Sequence, residues 1–438
     1  MTSRSGVSLP TTFTNCFEMT PQIALVDCNN FYVSCERLFR PDLRNTPVVV
    51  LSNNDGCVVS RSNEAKDIGI RMGVPWFECK SLTEEHGVLG LSSNYALYAD
   101  LSNRVMSILA EFSPRSEVYS IDECFVDLTG TPKLRDVSYQ MREQVMKWTG
   151  IPVCVGIAST KTLAKLANFV AKKHPRSKGV FNFNALTTDQ QTRLLKQIPV
   201  DEIWGVGRRL TKRLEVHGIS SAYDLQSANT ASLRTEFGVV IERTQRELQG
   251  IQCIEMEDIQ APKKQILRSR SFGKPVVDIH VMQDALSVFT ASAVEQLRKQ
   301  KGVTDLIRVF MMTNRHRKDQ PQYNPSFTVP LPQATNDSQI ILGWVDHVAQ
   351  RLWKDKFQYV KAGVMLGEIS PETTMQLDLL EPNQIGNTKL MNAIDSLNSR
   401  FGRGCVRIST GGMFDQWSMK QERKSPAYTT DWTQVPVV

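Results

Sequence analysis

The sequence predicts a multidomain α+β protein, and three observations predict it. At 438 residues and 41% hydrophobic, the chain is too long for one ordinary domain and apolar enough for several cores, so three to five folded units are expected. Continuous apolar runs of strand length alternate with stretches whose apolar residues recur every three or four positions. The pattern also changes character twice, across residues 53–90 and after a Gln/Ala/Pro/Lys stretch at 260–264 that reads as a tether.

Taken in order, residues 23–27 form an apolar run ending in Asp27, and residues 47–51 form a second; both suit buried strands, with a helix over 28–39 between them. Residues 53–90 carry Asn, Asp and Gly at their entrance and a short helix at 64–68, broken up by Gly69, Gly73 and Pro75, which fits a small separate subdomain. From Leu97 to Phe112 the apolar spacing describes one buried helix face until Pro114. Residues 118–128 then hold two β-prone runs that meet at Asp122-Glu123, a hairpin with acids at its bend.

Residues 153–157 form another strand, after which Ser159 is placed to cap a helix ending near His174-Pro175. Residues 187–250 are helical by pattern around a Gly-Val-Gly turn. Beyond the tether, strands at 265–271, 306–312, 326–331 and 359–366 and a helix at 285–299 predict a separate α+β domain.

Composition narrows the chemistry. A net charge of +7 and a pI near 8.9 lean modestly toward a polyanionic partner. Nine scattered cysteines without a Cys-x-x-Cys pair indicate reduced thiols and a cytoplasmic location. Six dispersed histidines give zinc little support, so any metal should sit on carboxylate oxygens, with Mg2+ the natural candidate. No run approaches the roughly 20 apolar residues of a membrane span, and residues 1–19 read as a disordered leader without signal-peptide features.

The chemical centre of the sequence is the set of acidic strand ends, Asp27 and Asp122-Glu123. Carboxylates so placed can hold two magnesium ions about 4 Å apart for nucleotidyl transfer. Asp also favours turns, and spacing alone does not show that the two sites meet. On the helix after Ser159, Lys161, Lys165 and Lys172 form one stripe opposite Leu163, Leu166 and Val170. The segment Trp204-Gly-Val-Gly-Arg-Arg-Leu-Thr-Lys212 has the form of a helix-hairpin-helix turn. Its backbone N–H groups can face a DNA phosphate, with Gly205 and Gly207 in the turn and Arg208, Arg209 and Lys212 nearby. Arg268 and Arg270 alternate with serines on a strand and suggest a second phosphate grip.

The segments Asp27-Cys-Asn-Asn-Phe-Tyr-Val-Ser-Cys-Glu36 and Tyr119-Ser-Ile-Asp-Glu-Cys-Phe125 together resemble the signature pair of Y-family translesion DNA polymerases. Ser52-Asn-Asn-Asp55, Glu64-Ala-Lys66, Ser93-Asn-Tyr95 and Lys161-Thr-Leu-Ala-Lys-Leu-Ala-Asn168 extend the likeness, which is closest to the UmuC-type branch and runs from about Met19 to the C-terminus.

The resemblance implies a right-hand polymerase: palm at 20–51 and 95–185, fingers at 52–94, helix-hairpin-helix thumb at 186–255, linker at 256–263, little finger at 264–370, and a clamp- and partner-binding tail at 371–438. It implies that Asp27 and Asp122 bridge two Mg2+ ions, that Glu123 holds the catalytic one, and that the Cys28 carbonyl lies near the nucleotide metal. Tyr32 would be the steric gate against ribonucleotides, while Phe31, Ser60, Arg61, Asn63, Lys66 and Lys172 would face the nucleotide.

Gln376, Leu377, Leu379 and Leu380, in Gln376-Leu-Asp-Leu-Leu380, resemble the short peptide that replication proteins insert into the sliding clamp, although the usual last aromatic is absent. The expected partners are therefore primer-template DNA, deoxynucleoside triphosphates, the clamp and a cleaved UmuD-like dimer, with a recombinase filament a further candidate and no membrane. The implied activity is error-prone lesion bypass in the SOS response. Two rivals from other classes are a catalytically inactive DNA- and clamp-binding accessory protein and a palm-type nucleotide cyclase. The intact acids oppose the first, and the duplex-gripping turn opposes the second.

Overall fold

The computed structural model describes residues 20–257, 261–374, 387–402, 404–408 and 417–435. The expected leader and the clamp-like peptide at 376–380 lie outside the described residues. In chain order, the elements begin with β1 (Ile23–Cys28), α1 (Phe31–Phe39), β2 (Val48–Leu51), β3 (Val58–Arg61), α2 (Asn63–Asp67), α3 (Lys80–His86) and β4 (Leu89–Ser92). Next come α4 (Tyr95–Ala110), β5 (Ser116–Val118), β6 (Glu123–Asp127), α5 (Leu134–Thr149), β7 (Val153–Ala158), α6 (Lys161–Lys173) and β8 (Val180–Asn182). Helices α7 (Thr188–Gln197), α8 (Arg208–Val216), α9 (Ala222–Ser227), α10 (Thr230–Phe237) and α11 (Val239–Leu248) follow. The last group is β9 (Ile266–Val276), α12 (Ile279–Lys299), β10 (Gly302–Thr313), β11 (Ser326–Thr335), α13 (Ser338–Leu352), β12 (Tyr359–Pro371) and α14 (Thr388–Phe401).

Two units divide the chain, one made of residues 1–44, 95–258 and 426–438, the other of residues 45–94 and 259–425. The first is built on a five-stranded sheet in the order β5-β6-β1-β7-β8. Every residue of β1 and β7 is buried, as continuous apolar runs at the centre of a doubly covered sheet should be. Helix α6 packs against β1 and β7, and α4 and α5 against β6 and β7. Its N-cap is Thr160 rather than Ser159: the Thr160 hydroxyl accepts from the Leu163 N–H at 3.2 Å. Both residue types can cap, and Thr160 has the extended backbone that an N-cap takes. Helices α7–α11 share a core with the α6 face of the sheet, through Leu163, Leu166 and Val170 from α6 and Leu195, Leu214 and Ile241 from the helical segment.

The second unit contains two sheets. Strand β2 belongs to the small sheet β3-β2-β4 with the 52–94 segment, although the sequence reading grouped it with β1. A run buried on both faces looks the same in either sheet. That sheet rests on a small core of Val49, Leu51, Val58, Ala65, Ile70, Cys79 and Val88. The larger sheet, β11-β10-β12-β9, is fully antiparallel. Helices α12 and α13 cover one of its faces, burying Ile307, Val309 and Met311 of β10 together with Ala362, Val364 and Leu366 of β12.

Candidate active site

The register of the first sheet brings the acidic strand ends together. Asp27, at the end of β1, pairs across the antiparallel ladder with Glu123, the first residue of β6. The Cys28 N–H donates to the Asp122 carbonyl at 2.9 Å, so Asp122 lies one step farther along the same edge. The turn before β6 is held by Ser120, whose hydroxyl accepts from the Asp122 and Glu123 N–H groups and donates to Asp122 Oδ1 at 2.6 Å. Ser120 was not among the residues singled out from sequence. Its signal was present, since a Ser two residues before an acid is a common turn-closing arrangement.

Three carboxylates so close need positive charge, and α6 supplies it. Lys172 Nζ lies 2.6 Å from Asp27 Oδ1, and Lys165 Nζ lies 2.8 Å from Glu123 Oε2. The two lysines are seven residues apart, two helical turns, and so project from one side of α6. Burial pushes the Asp27 carboxyl up to about 6 against the pull of Lys172, and neighbouring Glu123 and Asp122 add to the rise. Burial likewise drives the Cys28 thiol well above its ordinary range. Lys165 also lies over the rings of Tyr119 and Trp204, 4.5 and 5.1 Å from their centroids.

Lys161, the third member of the basic stripe, is not solvated. It is 2% exposed, paired with Glu117 and donating to the Glu255 carbonyl at 2.7 Å. Helix α6 approaches the sheet closely because residue 156 is glycine: a Cβ there would come within 2.1 Å of the Asn168 backbone nitrogen. The Asn168 side-chain amide then donates to the carbonyls of Leu25 and Cys154, tying α6 to β1 and β7.

Among the described residues, no three acidic, histidine or cysteine groups are gathered as a metal-ligand cluster. The donor set nevertheless suits a hard divalent cation, because three neighbouring carboxylates, one of them 8% exposed, present oxygen ligands, and lysines now engage only two of the three.

On α1, Phe31 is 3% exposed and part of the core, whereas Tyr32 is half-buried. The Tyr32 ring stacks on Tyr98 of α4 and meets Tyr95 edge-on at 6.2 Å. Tyr98 is wholly buried, and its hydroxyl donates to Glu36 Oε1 at 2.6 Å.

The Gly-Val-Gly turn has the expected form. Gly205 takes φ +88°, Val206 is buried as its anchor, and Gly207 is the N-cap of α8. Gly205, Gly207, Arg208, Arg209 and Lys212 are all exposed, and a Cβ at either glycine would meet nothing within 4 Å. That leaves room for a ligand to approach the backbone.

In the second unit, Ser60 is buried on β3, and the Arg61 guanidinium donates to the Ile70 carbonyl at 2.6 Å. Asn63 opens α2, where its side chain accepts from Lys66 Nζ at 3.3 Å. Arg268 and Arg270 face the helix-covered side of the large sheet: Arg268 donates to Ser292 of α12, and Arg270 lies over Trp417. They share strand parity with buried Ile266 and Phe272, the signal that would have told which way they point. The uncovered side of that sheet instead presents Arg308, Phe310 and Lys361, with the Phe310 ring lying against Gly363.

Residues 26–168 match the impB/mucB/samB family, 189–219 its HHH motif, 263–379 its C-terminal domain, and 388–438 a domain of unknown function, DUF4113. The chain is 46% identical to Protein UmuC of Salmonella typhimurium over 94% of this chain and 98% of that one. It is 43% identical to Protein ImpB of the same species over 94% and 99%, and 25% identical to a DNA polymerase IV of Brucella melitensis over 91% and 86%. Among solved structures it resembles a Y-family DNA polymerase chimera of Dbh and Dpo4, with TM-score 0.63 and 21% identity over 80% of this chain and 99% of that one. It also resembles an insertion ternary complex of Dbh DNA polymerase, with TM-score 0.52 over the same shares at 21% identity. With matches spread across the acidic strands, the glycine turn and the C-terminal sheet, the chain belongs to the impB/mucB/samB family, and its fold is that of the Y-family DNA polymerases.

Proposed function

We propose that the chain is a DNA-directed DNA polymerase of the translesion kind, adding deoxyribonucleotides to a primer opposite damaged template in SOS mutagenesis. The observation that carries this reading is the β1/β6 register, which sets Asp27 beside Glu123 and Asp122 at one sheet edge beneath two lysines of α6. Asp27, Asp122, Glu123 and the Cys28 carbonyl would hold two Mg2+ ions, which when bound supply the Lewis acidity for nucleotidyl transfer. Displaced from Asp27, Lys172 is free to meet the triphosphate. Lys165, held over two aromatic rings, keeps positive charge beside Glu123. Tyr32, backed by Tyr98, would serve as the wall that leaves a 2′ hydroxyl no room.

The exposed Gly205 to Lys212 segment suits a phosphate of the duplex, without sequence preference. Ser60, Arg61, Asn63 and Lys66 are proposed for the nucleotide, and Arg268 and Arg270 for the backbone. The latter two must first leave their contacts with Ser292 and Trp417. A sliding clamp, a UmuD-like dimer and a cytoplasmic location complete the proposal. No helix among the described residues is long and apolar enough to cross a membrane.

Primer extension on intact and abasic templates by wild type and Asp122→Asn tests the assignment. The variant should lose extension by at least about a hundredfold while binding primer-template equally, since several kcal/mol of transition-state stabilisation rest on a metal ligand. Extension that survives the substitution would leave the inactive accessory role as the better reading.

A further inference from the structure

The segment at residues 417–425, inside the match of unknown function, crosses the second unit from the large sheet to the small one. It is anchored first by Trp417, whose ring is 6% exposed in the core beneath β9 and α12, edge-on to Phe289 at 5.5 Å. Its indole N–H donates to buried Asp284 at 2.9 Å. One residue on, the Ser418 carbonyl sits 2.8 Å from where a Cβ would stand on Gly273, so the chain lies directly on the β9 backbone.

The segment then reaches the small sheet. The Lys420 N–H donates to Asn54 Oδ1 at 3.0 Å, while the Asn54 amide donates to the Ser271 carbonyl of β9 at 2.9 Å, so one side chain joins all three pieces. Glu422 N–H donates to Asp55 Oδ2 at 3.3 Å. Asn54 and Asp55 both hold positive φ, +61° and +51°, a left-handed turn that Asn and Asp adopt more readily than other non-glycine residues. Finally the segment takes a place beside β4, the edge strand of β3-β2-β4. Ser92 N–H donates to the Arg423 carbonyl at 3.1 Å, Arg423 N–H donates to Ser92 Oγ at 3.0 Å, and Ser92 and Lys424 form a parallel bridge. Gln421 donates to the Ser93 carbonyl and Asn94 to Ser425 Oγ.

We propose that residues 417–425 are an intramolecular strap that fastens the small β3-β2-β4 subdomain to the large C-terminal sheet, and that this is a function of the segment of unknown role. The subdomain has a physical need for it: its core of seven buried side chains is small, and small cores are marginal on their own. The strap contributes main-chain hydrogen bonds at one end and a buried indole at the other, so the two sheets move as one body. For the reaction, and resting on the polymerase reading above, this holds Ser60, Arg61, Asn63 and Lys66 at a fixed place relative to the sheet that would face the duplex.

The test uses the full chain and two substitutions outside the proposed active site. Trp417→Ala removes the anchor. Asn54→Gly removes the bridging amide while keeping a residue that tolerates positive φ. Hydrogen–deuterium exchange across residues 53–57 and 89–94 should accelerate at least about tenfold in both, with exchange across β1 and β6 unchanged. In single-nucleotide insertion, KM for the incoming deoxynucleotide should rise at least about threefold while kcat stays within about twofold, the split expected of lost positioning. Unchanged exchange at 89–94 in both variants overturns the strap. Faster exchange with an unmoved KM overturns its role in insertion. Should Trp417→Ala fail to fold, Asn54→Gly carries the same comparison. Absence of extension by the wild-type chain would count against the polymerase reading alone, and the exchange measurement would still decide the strap.

Discussion

Tyr32 lies flat against Tyr98, ring centroids 4.4 Å apart and planes 14° from parallel. The proposed gate is therefore a two-ring wall, with one ring half-buried and the other fully enclosed. Truncating Tyr32 to alanine should admit ribonucleotides, raising their incorporation relative to deoxyribonucleotides by at least roughly tenfold, about 1.4 kcal/mol of discrimination. A purely structural role predicts equal loss with both sugars and a lower melting temperature. Insertion of matched ribo- and deoxyribonucleotides, alongside a melting curve, separates these outcomes.

Behind the gate, Tyr98→Phe keeps the ring but deletes the donor to Glu36 Oε1, a residue that is 0% exposed. Loss of one buried partner of a carboxylate should destabilise the protein by about 1–3 kcal/mol. Sugar discrimination should fall less than in Tyr32→Ala. Denaturant unfolding gives the first quantity, and the insertion assay gives the second.

Lys161 pairs with Glu117 in a nearly enclosed site and also fixes the Glu255 carbonyl. Replacing it with methionine preserves length but removes the cation from the Glu117 carboxylate, which keeps the Glu257 N–H at 2.7 Å, and breaking a buried pair from one side costs up to about 3–5 kcal/mol. The double substitution Lys161→Met with Glu117→Gln should recover much of that loss. If the double variant is no more stable than the single one, burial of a carboxylate without its counter-charge is not the cause.

Leu377 and Leu379 are expected to anchor clamp binding, so replacing both with alanine should lower clamp-stimulated synthesis while sparing basal extension on a short template. Full stimulation in the variant would reduce the pentapeptide to a linker.

The acids were legible because each ends or begins an apolar run, and a carboxylate at a buried strand's end is conspicuous. Their meeting was not legible, since the pairing of Asp27 with Glu123 is a register chosen by the whole sheet. The stripe of Lys161, Lys165 and Lys172 followed from helical periodicity, but periodicity could not reveal that Lys161 is buried while its fellows hold the acids. Val48–Leu51 read correctly as a strand and was grouped with the wrong sheet, because four apolar residues carry no information about their neighbours. Arg268 and Arg270 were read as charges seeking phosphate. The parity they share with Ile266 and Phe272 places them on the helix side, where Ser292 and Trp417 engage them.

Gly156 has no side chain and takes part in no chemistry, yet the contact it permits determines how far the lysines stand from the acids. At Gly156 main chain meets main chain, so at that crossing point the separation between α6 and the sheet has no layer of side chains that could repack, and Asn168 resists sideways slip. The tolerance of the acidic edge to distant mutations is thus set at this contact by backbone stiffness, as a bearing's clearance is set by its machined faces rather than by its lubricant.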